Sequence, residues 1–290
     1  MDKGIIEQSD VALTLLRNLK EIRDEVDGHD ERYGIFLLED YYRRIGAFVN
    51  KAVYLPEAPR VKHALNPTLD YEALQTAYLD STPELLFYDD FLTPEALQAL
   101  IDYCLDSTFW FDVKSHGGYL GAYSDEGFDG ELLFQIANEL HQRFPLIFKD
   151  YQLTQMWAYK YDSSMSGIKV HADFAAVNVN FWITVDEANL DPESGGLVVY
   201  TVEAPGHWDF ESYNTRADDI YKFLADNNAG EVVIPHRQNR MVMFNSNLFH
   251  KSDHHGRFRT DKYNYRRINV VSFCIIVNLS VCYYCSMDIQ

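Results

Sequence analysis

His171-Ala172-Asp173 is answered far downstream by His250 and then by the pair Arg266-Arg267. Two imidazoles and one carboxylate can occupy one face of an octahedral ion such as ferrous iron and leave the opposite face open for chemistry. The arginine pair stands at the start of an apolar, strand-like run over 268–277, where a basic group could hold a dianionic cosubstrate. A His-X-Asp match is weak by itself. Its order along the chain and its strand context give it weight.

Those side chains must be presented by particular elements. Side chains of a strand alternate between its two faces. Residues 168–173 read as a strand, which puts His171 and Asp173 on one face within roughly 7 Å of each other along the backbone. His250 follows a strand-like run over 241–245, and closing the long intervening loop costs little because that cost grows slowly with length. In 177–185 the odd positions are Val177, Val179, Phe181, Ile183 and Val185, a face suited to packing on helices. The even positions are Asn178, Asn180, Trp182 and Thr184, which suit the lining of a small-molecule cavity. The other reading of that face is contact with solvent. Arg267 shares its face with Asn269, whereas Arg266 shares its face with Ile268 and Val270. If the apolar face packs outward, Arg267 points into the cavity and can clamp a carboxylate with two parallel hydrogen bonds, with Arg266 the alternative.

Around these motifs the chain of 290 residues divides into a helical beginning and a strand-rich remainder. Helices are expected over 5–27 and 33–53, and Pro56, Pro59 and Pro67 break regular structure after them. Residues 1–70 are thus read as an N-terminal helical annex and linker, and 71–290 as the main domain. The annex serves either as a scaffold packed on the body or as a homodimer surface. A strand over 84–91 leads to a helix through Cys104, with Thr93 as N-cap and Pro94 in first helical position. Further helices are expected over 130–144 and 217–227, and strands over 151–161, 168–173, 177–185, 196–202, 231–235, 241–245 and 267–277. The fold class is mainly β with flanking helices (α+β), an antiparallel barrel or sandwich.

Composition narrows the partners. With 25 Lys/Arg against 44 Asp/Glu the net charge is −19, which opposes broad binding to nucleic acid or anionic membranes. No apolar run approaches the ~20 residues that span a bilayer, and the N-terminus lacks the order of a secretory signal. Cys104, Cys274, Cys282 and Cys285 do not form a disulfide-framework pattern, and Cys282-Tyr-Tyr-Cys285 has no second CxxC. A reducing, cytoplasmic compartment is expected, and it would keep iron ferrous. Lys251, Arg257, Arg259, Lys262, Arg266 and Arg267 outnumber Asp253 and Asp261, a local basic excess that suits a small dianion.

These residues resemble the iron(II)- and 2-oxoglutarate-dependent dioxygenases, whose pattern is His-X-Asp, a distant His and a following Arg on a double-stranded β-helix (a jelly-roll or cupin-like barrel). Residues 85–277 fit that layout. The nearest likeness is to the prolyl-hydroxylase-like branch, through the strand and helix of Phe87-Tyr-Asp-Asp-Phe-Leu-Thr-Pro-Glu-Ala96 and through Tyr161, which matches a tyrosine that contacts 2-oxoglutarate. Arg267-Ile-Asn269-Val resembles the Arg-X-Asn strand of oxygenases that repair alkylated bases. The resemblance implies Fe(II) on His171, Asp173 and His250, cosubstrate held by Arg267, Tyr161, Asn269 and Asn180, and dioxygen as second cosubstrate. It also implies conversion of 2-oxoglutarate to succinate and carbon dioxide with hydroxylation of an amino acid, a peptide or protein side chain, or another small metabolite. Retention of Asp173 disfavours halogenation. Asn239 stands where many relatives have glycine before the arginine, and the insert over 206–229 is not a general family feature. Two rival readings are a cupin-like metal-dependent dioxygenase that uses no 2-oxoacid and a non-catalytic β-barrel binding module.

Overall fold

The computed structural model describes residues 9–26, 38–114, 117–161, 167–253, 257–259 and 261–276. Helix α1 (Asp10–Val26) buries none of its residues. It meets α2 (Glu39–Ile45) through Arg44, which pairs with Glu21 at 2.6 Å and Glu25 at 3.1 Å. The helix expected over 33–53 is confined, in its described part, to those seven residues, and turns follow Ile45.

Asp70 accepts a hydrogen bond from Ala73 N at 3.0 Å and so starts α3 (Tyr71–Asp80), a helix absent from the sequence reading. After β1 (Leu85–Tyr88), Thr93 accepts from Ala96 N at 3.2 Å and Pro94 takes the first position of α4 (Pro94–Asp106), as the capping signal indicates. A second unforeseen unit is the hairpin of β2 (Asp112–Lys114) and β3 (Tyr119–Tyr123). Then come α5 (Glu131–Arg143), α6 (Pro145–Phe148), β4 (Gln152–Tyr161), β5 (Val177–Trp182), β6 (Leu197–Glu203), α7 (Phe210–Asn214) and α8 (Ala217–Asp226). The chain continues through β7 (Glu231–Ile234), β8 (Arg240–Asn245), β9 (Leu248–Ser252) and β10 (Ile268–Ile276). The strands form a seven-stranded sheet in the order β1-β8-β5-β10-β4-β3-β2 and a three-stranded sheet in the order β7-β6-β9. All their pairings are antiparallel.

Alternation along β5 and β8 decides what each side of the large sheet meets. The register sets Val179 opposite Met243 and Phe181 opposite Met241. These side chains join Leu100, Tyr103, Leu133 and Phe144 in the core beneath the helices. On the other side Trp182, Val242 and Phe244 pack against Val199, Ile234 and Leu248 of the small sheet. Fully burying one such apolar side chain contributes ~1.5–3 kcal/mol, so a register slip that reversed the faces would lose both cores together. Ile220 and Leu224 of α8 pack with Val198, Tyr200 and Phe249, covering the outer side of the small sheet. The odd face of β5 is thus the helix-packed one. The even face meets neither helices nor solvent, because Asn178, Asn180, Trp182 and Thr184 are all buried.

The structure corrects the reading at the ligand segment. Residues 168–173 are not a strand, and only His171 pairs, in an isolated antiparallel bridge with His250. His250 itself lies inside β9, a strand the sequence reading left out. At the departure noted before Arg240, Asn239 has φ +62°, a left-handed conformation that glycine and asparagine enter most readily. Its side chain accepts from Leu92 N and donates to Leu92 O, both at 2.9 Å, tying the start of β8 to the segment before α4. Cys104 is buried in the helix-side core, while Cys282, Cys285, His254 and His255 lie outside the described residues. Among the described residues no helix is long and apolar enough to cross a membrane.

Candidate metal centre and carboxylate pocket

Backbone pairing, rather than strand alternation, assembles the triad. His171 N donates to His250 O at 3.0 Å and His250 N donates to His171 O at 2.8 Å. Asp173 N donates to Ser246 O at 3.0 Å, in the turn between β8 and β9. The residue between the two ligands is held from the other side: Ala172 N donates to Tyr213 O at 2.9 Å, and Asn214 Nδ2 donates to Ala172 O at 3.0 Å. Helix α7, within the 206–229 insert, therefore braces the ligand segment.

One nitrogen of each imidazole is already engaged. His171 Nδ1 lies 2.8 Å from Lys169 O, and His250 Nδ1 lies 3.0 Å from Leu248 O. A carbonyl can only accept, so the proton sits on Nδ1 and Nε2 keeps its lone pair for a metal. The two Nε2 atoms lie 3.4 Å from Asp173 Oδ1 and Oδ2 respectively. One potential ligand atom from each of the three residues falls within 4.8 Å of the others. Burial and the neighbouring His250 lower the His171 pKa to about 4, so its ring is neutral at pH 7. Burial works against the Asp173 carboxylate, but the two histidines and a 2.6 Å hydrogen bond from Asn178 Nδ2 outweigh it and hold its pKa well below the ordinary value. The donor set fits a divalent cation that accepts nitrogen and oxygen ligands on one face.

A second polar cluster gathers around Arg267, at the entry to β10. The residue is 6% exposed, and its guanidinium Cζ lies 4.5 Å from the centre of the Tyr161 ring. Nη2 donates to Gly196 O at 2.9 Å, and Nε reaches Asn269 Oδ1 at 3.3 Å. Burial lowers the Arg267 pKa, opposed by Tyr161 and by the nearby Asp253. Tyr161 is buried and its pKa is raised by that burial, with Arg267, Ser252 and Asn269 acting in the opposite sense. Ser252 stands two residues after His250 on β9, so one strand serves both clusters. Strand β5 does likewise: Asn178 reaches Asp173, and Trp182 lies opposite Asn269 in the register. Asn180 is buried between them on the same face, opposite Val271 and Val242.

Of the two arginines, Arg267 is the one in this pocket. Arg266 is partly exposed, and its carbonyl accepts from Thr184 Oγ1 at 3.1 Å. The basic excess over 251–267 does not gather at the site. Arg259 pairs with Asp261 at 2.8 Å, Lys262 reaches Tyr265 Oη at 2.8 Å, and Arg257 is exposed. Residues that the sequence reading passed over include Asn178, recognisable there only as a member of the polar face of β5. Tyr119, Tyr123 and Tyr159 form a further group, with ring centres 5.0 Å apart for Tyr119–Tyr159 and 6.4 Å apart for Tyr123–Tyr159. Their signal was an alternation of aromatic residues across β3 and β4.

No protein-family model matches the chain, and no curated protein matches it. Among solved structures it is similar to the non-heme α-ketoglutarate-dependent epimerase SnoN of nogalamycin biosynthesis, at 12% identity over 69% of this chain and 82% of that one, with a TM-score of 0.46. It is similar to a prolyl-4-hydroxylase of Pseudomonas putida at 12% identity over 70% of this chain and 98% of that one, TM-score 0.45. The non-heme α-ketoglutarate-dependent carbocyclase SnoK is a third, at 12% identity over 73% of this chain and 86% of that one, TM-score 0.48. All three likenesses are distant.

Proposed function

We propose that this chain is an iron(II)- and 2-oxoglutarate-dependent dioxygenase on a double-stranded β-helix, with metal held by His171, Asp173 and His250 and the distal carboxylate of 2-oxoglutarate held by Arg267. The observation that carries the reading is the convergence of His171, Asp173 and His250, one potential ligand atom of each lying within 4.8 Å of the others, with both Nε2 atoms 3.4 Å from the carboxylate and both Nδ1 atoms committed to backbone carbonyls. When bound, iron with its cosubstrates supplies the oxidising chemistry: one oxygen atom of dioxygen enters the substrate, the other enters succinate, and carbon dioxide leaves.

The chain's own residues hold, orient and exclude water. Neutral His171 offers its Nε2 lone pair without first losing a proton, and His250 presents the same nitrogen because its Nδ1 faces a carbonyl. Asn178 fixes the rotation of the Asp173 carboxylate. In the pocket, Arg267 supplies a cation whose position is set by Gly196 O and by the face of Tyr161. Asn269, Tyr161 and Asn180 add neutral polar groups around it. The apolar packing of Val242, Phe244 and Leu248 shields the space between the sheets from water and strengthens the charge interactions there.

The substrate class proposed is an amino acid, a peptide or protein side chain, or another small metabolite, with hydroxylation as the outcome. The net charge of −19 weighs against nucleic acid. A cytoplasmic setting, which keeps iron ferrous, suits the chemistry. The test is oxygen-dependent succinate formation from 2-oxoglutarate by the purified protein with ferrous iron, combined with a screen for substrates that gain one oxygen. The reading expects succinate from the wild type and none from folded His250→Ala. Equal succinate from that variant would contradict it.

A further inference from the structure

His236, just beyond β7, is 4% exposed, and neither of its ring nitrogens has a hydrogen-bond partner among the described residues. A neutral imidazole carries one donor and one acceptor, and a buried side chain with both unmet asks for a reason. The ring is firmly held. It stacks on Trp182 with ring centres 5.6 Å apart and planes at 21°, and it meets the edge of Phe258 at 4.9 Å and 85°. Its backbone N donates to Ser194 O at 3.1 Å.

This position borders the Arg267 pocket on several sides. Gly196, whose carbonyl accepts from Arg267, lies so close that a Cβ there would fall 2.7 Å from Trp182 Cη2 and 2.9 Å from His236 N. Phe258 links the two residues, since its ring also lies 5.9 Å from Arg267 Cζ. Burial, and then the positive charges of Arg267 and Arg240, lower the His236 pKa to about 3. The imidazole is therefore neutral, with one N–H to give.

We propose that His236 is a second anchor for the anion held by Arg267, its ring N–H donating to the distal carboxylate of a 2-oxo dicarboxylic acid. The inference rests on the cosubstrate reading above and adds to it a source of selectivity for dicarboxylates. A packing role alone would be served as well by phenylalanine, which fills similar space and leaves no polar atom unmet.

The test is anaerobic calorimetric binding of 2-oxoglutarate and of 2-oxopentanoate, which lacks the distal carboxylate, to ferrous-loaded protein. For His236→Phe the Kd for 2-oxoglutarate is expected to rise about 10- to 100-fold, as for loss of one hydrogen bond to a charged group. The Kd for 2-oxopentanoate and the iron content should stay unchanged, and His236→Gln should recover part of the loss. Equal weakening toward both acids, or no weakening toward either, would overturn the proposal. If the wild type binds no 2-oxoglutarate, the cosubstrate reading falls and takes this inference with it. If Arg267→Ala weakens binding and His236→Phe does not, only the role of His236 falls. Should His236→Phe fail to fold, histidine-ring NMR of zinc-loaded wild type decides. A ring N–H newly protected from exchange by 2-oxoglutarate, and not by 2-oxopentanoate, supports the bond; its absence overturns it.

Discussion

The triad and the pocket around Arg267 are neighbours on β5 and β9, yet they are built on opposite plans. At the triad every outward-facing hydrogen-bonding atom is committed: Nδ1 of both histidines to carbonyls, and Asp173 to Asn178. What remains is a set of lone pairs directed at one another, which only a cation can reconcile. In the pocket the balance is reversed. A buried guanidinium is cushioned by an aromatic face and a carbonyl, with Asp253 near enough to oppose part of its charge penalty, and the buried imidazole of His236 has no hydrogen-bond partner among the described residues. The first cluster is ordered for a cation and the second for an anion. On the proposed reading a divalent cation would satisfy the first, and a 2-oxo dicarboxylate bound to that cation would reach the second with its far carboxylate.

This contrast can be broken at either pole. The largest effect is expected from His171→Ala or His250→Ala, which should abolish turnover and leave the purified protein without stoichiometric iron by metal analysis; retained iron in both would remove the triad from the metal site. Next, Arg267→Ala should raise the Kd for 2-oxoglutarate by 100-fold or more, on the order of 3 kcal/mol for a buried charged pair, with iron content unchanged. A parallel loss of iron would show the two clusters to be a single structural unit. Asn178→Ala should weaken iron binding by about 10- to 100-fold through the freed Asp173 carboxylate, and an unaltered affinity would mean that backbone contacts alone orient Asp173. The last effect is on stability. Metal at 100 times its Kd should add about 2.7 kcal/mol, read as a rise of several degrees in Tm. 2-Oxoglutarate without metal should add less, because it would engage only one pole.

Much of the architecture was legible because it depends on local rules. The Thr93-Pro94 start of α4 follows from capping chemistry, and the two faces of β5 follow from alternation of apolar and polar residues. The triad's residue types were legible too, but their presentation was not. Residues 168–173 alternate apolar and polar side chains as a strand would, yet they form one isolated bridge at His171, and their other backbone bonds go to Ser252, Ser246 and Tyr213. Strand β9 was hidden because its five residues mix apolar and polar side chains without clear period. Helix α3 carried readable signals, the Asp70 cap and apolar positions at Tyr71, Leu74 and Tyr78, whereas the β2–β3 hairpin announced itself only through Gly117-Gly118 and flanking tyrosines. In the sequence His236 stands with His207, His254 and His255 as a histidine that could touch substrate or serve as a polar loop residue, and it becomes distinct only when Trp182 and Phe258 close over it.

The most direct test of the central claim is an anaerobic titration of the ferrous protein with 2-oxoglutarate, followed by visible absorption. A charge-transfer band that saturates at one equivalent, and that is missing in His250→Ala, is the predicted result. No band in the iron-loaded wild type, or an undiminished band in that variant, would contradict a metal centre formed by these three side chains beside Arg267.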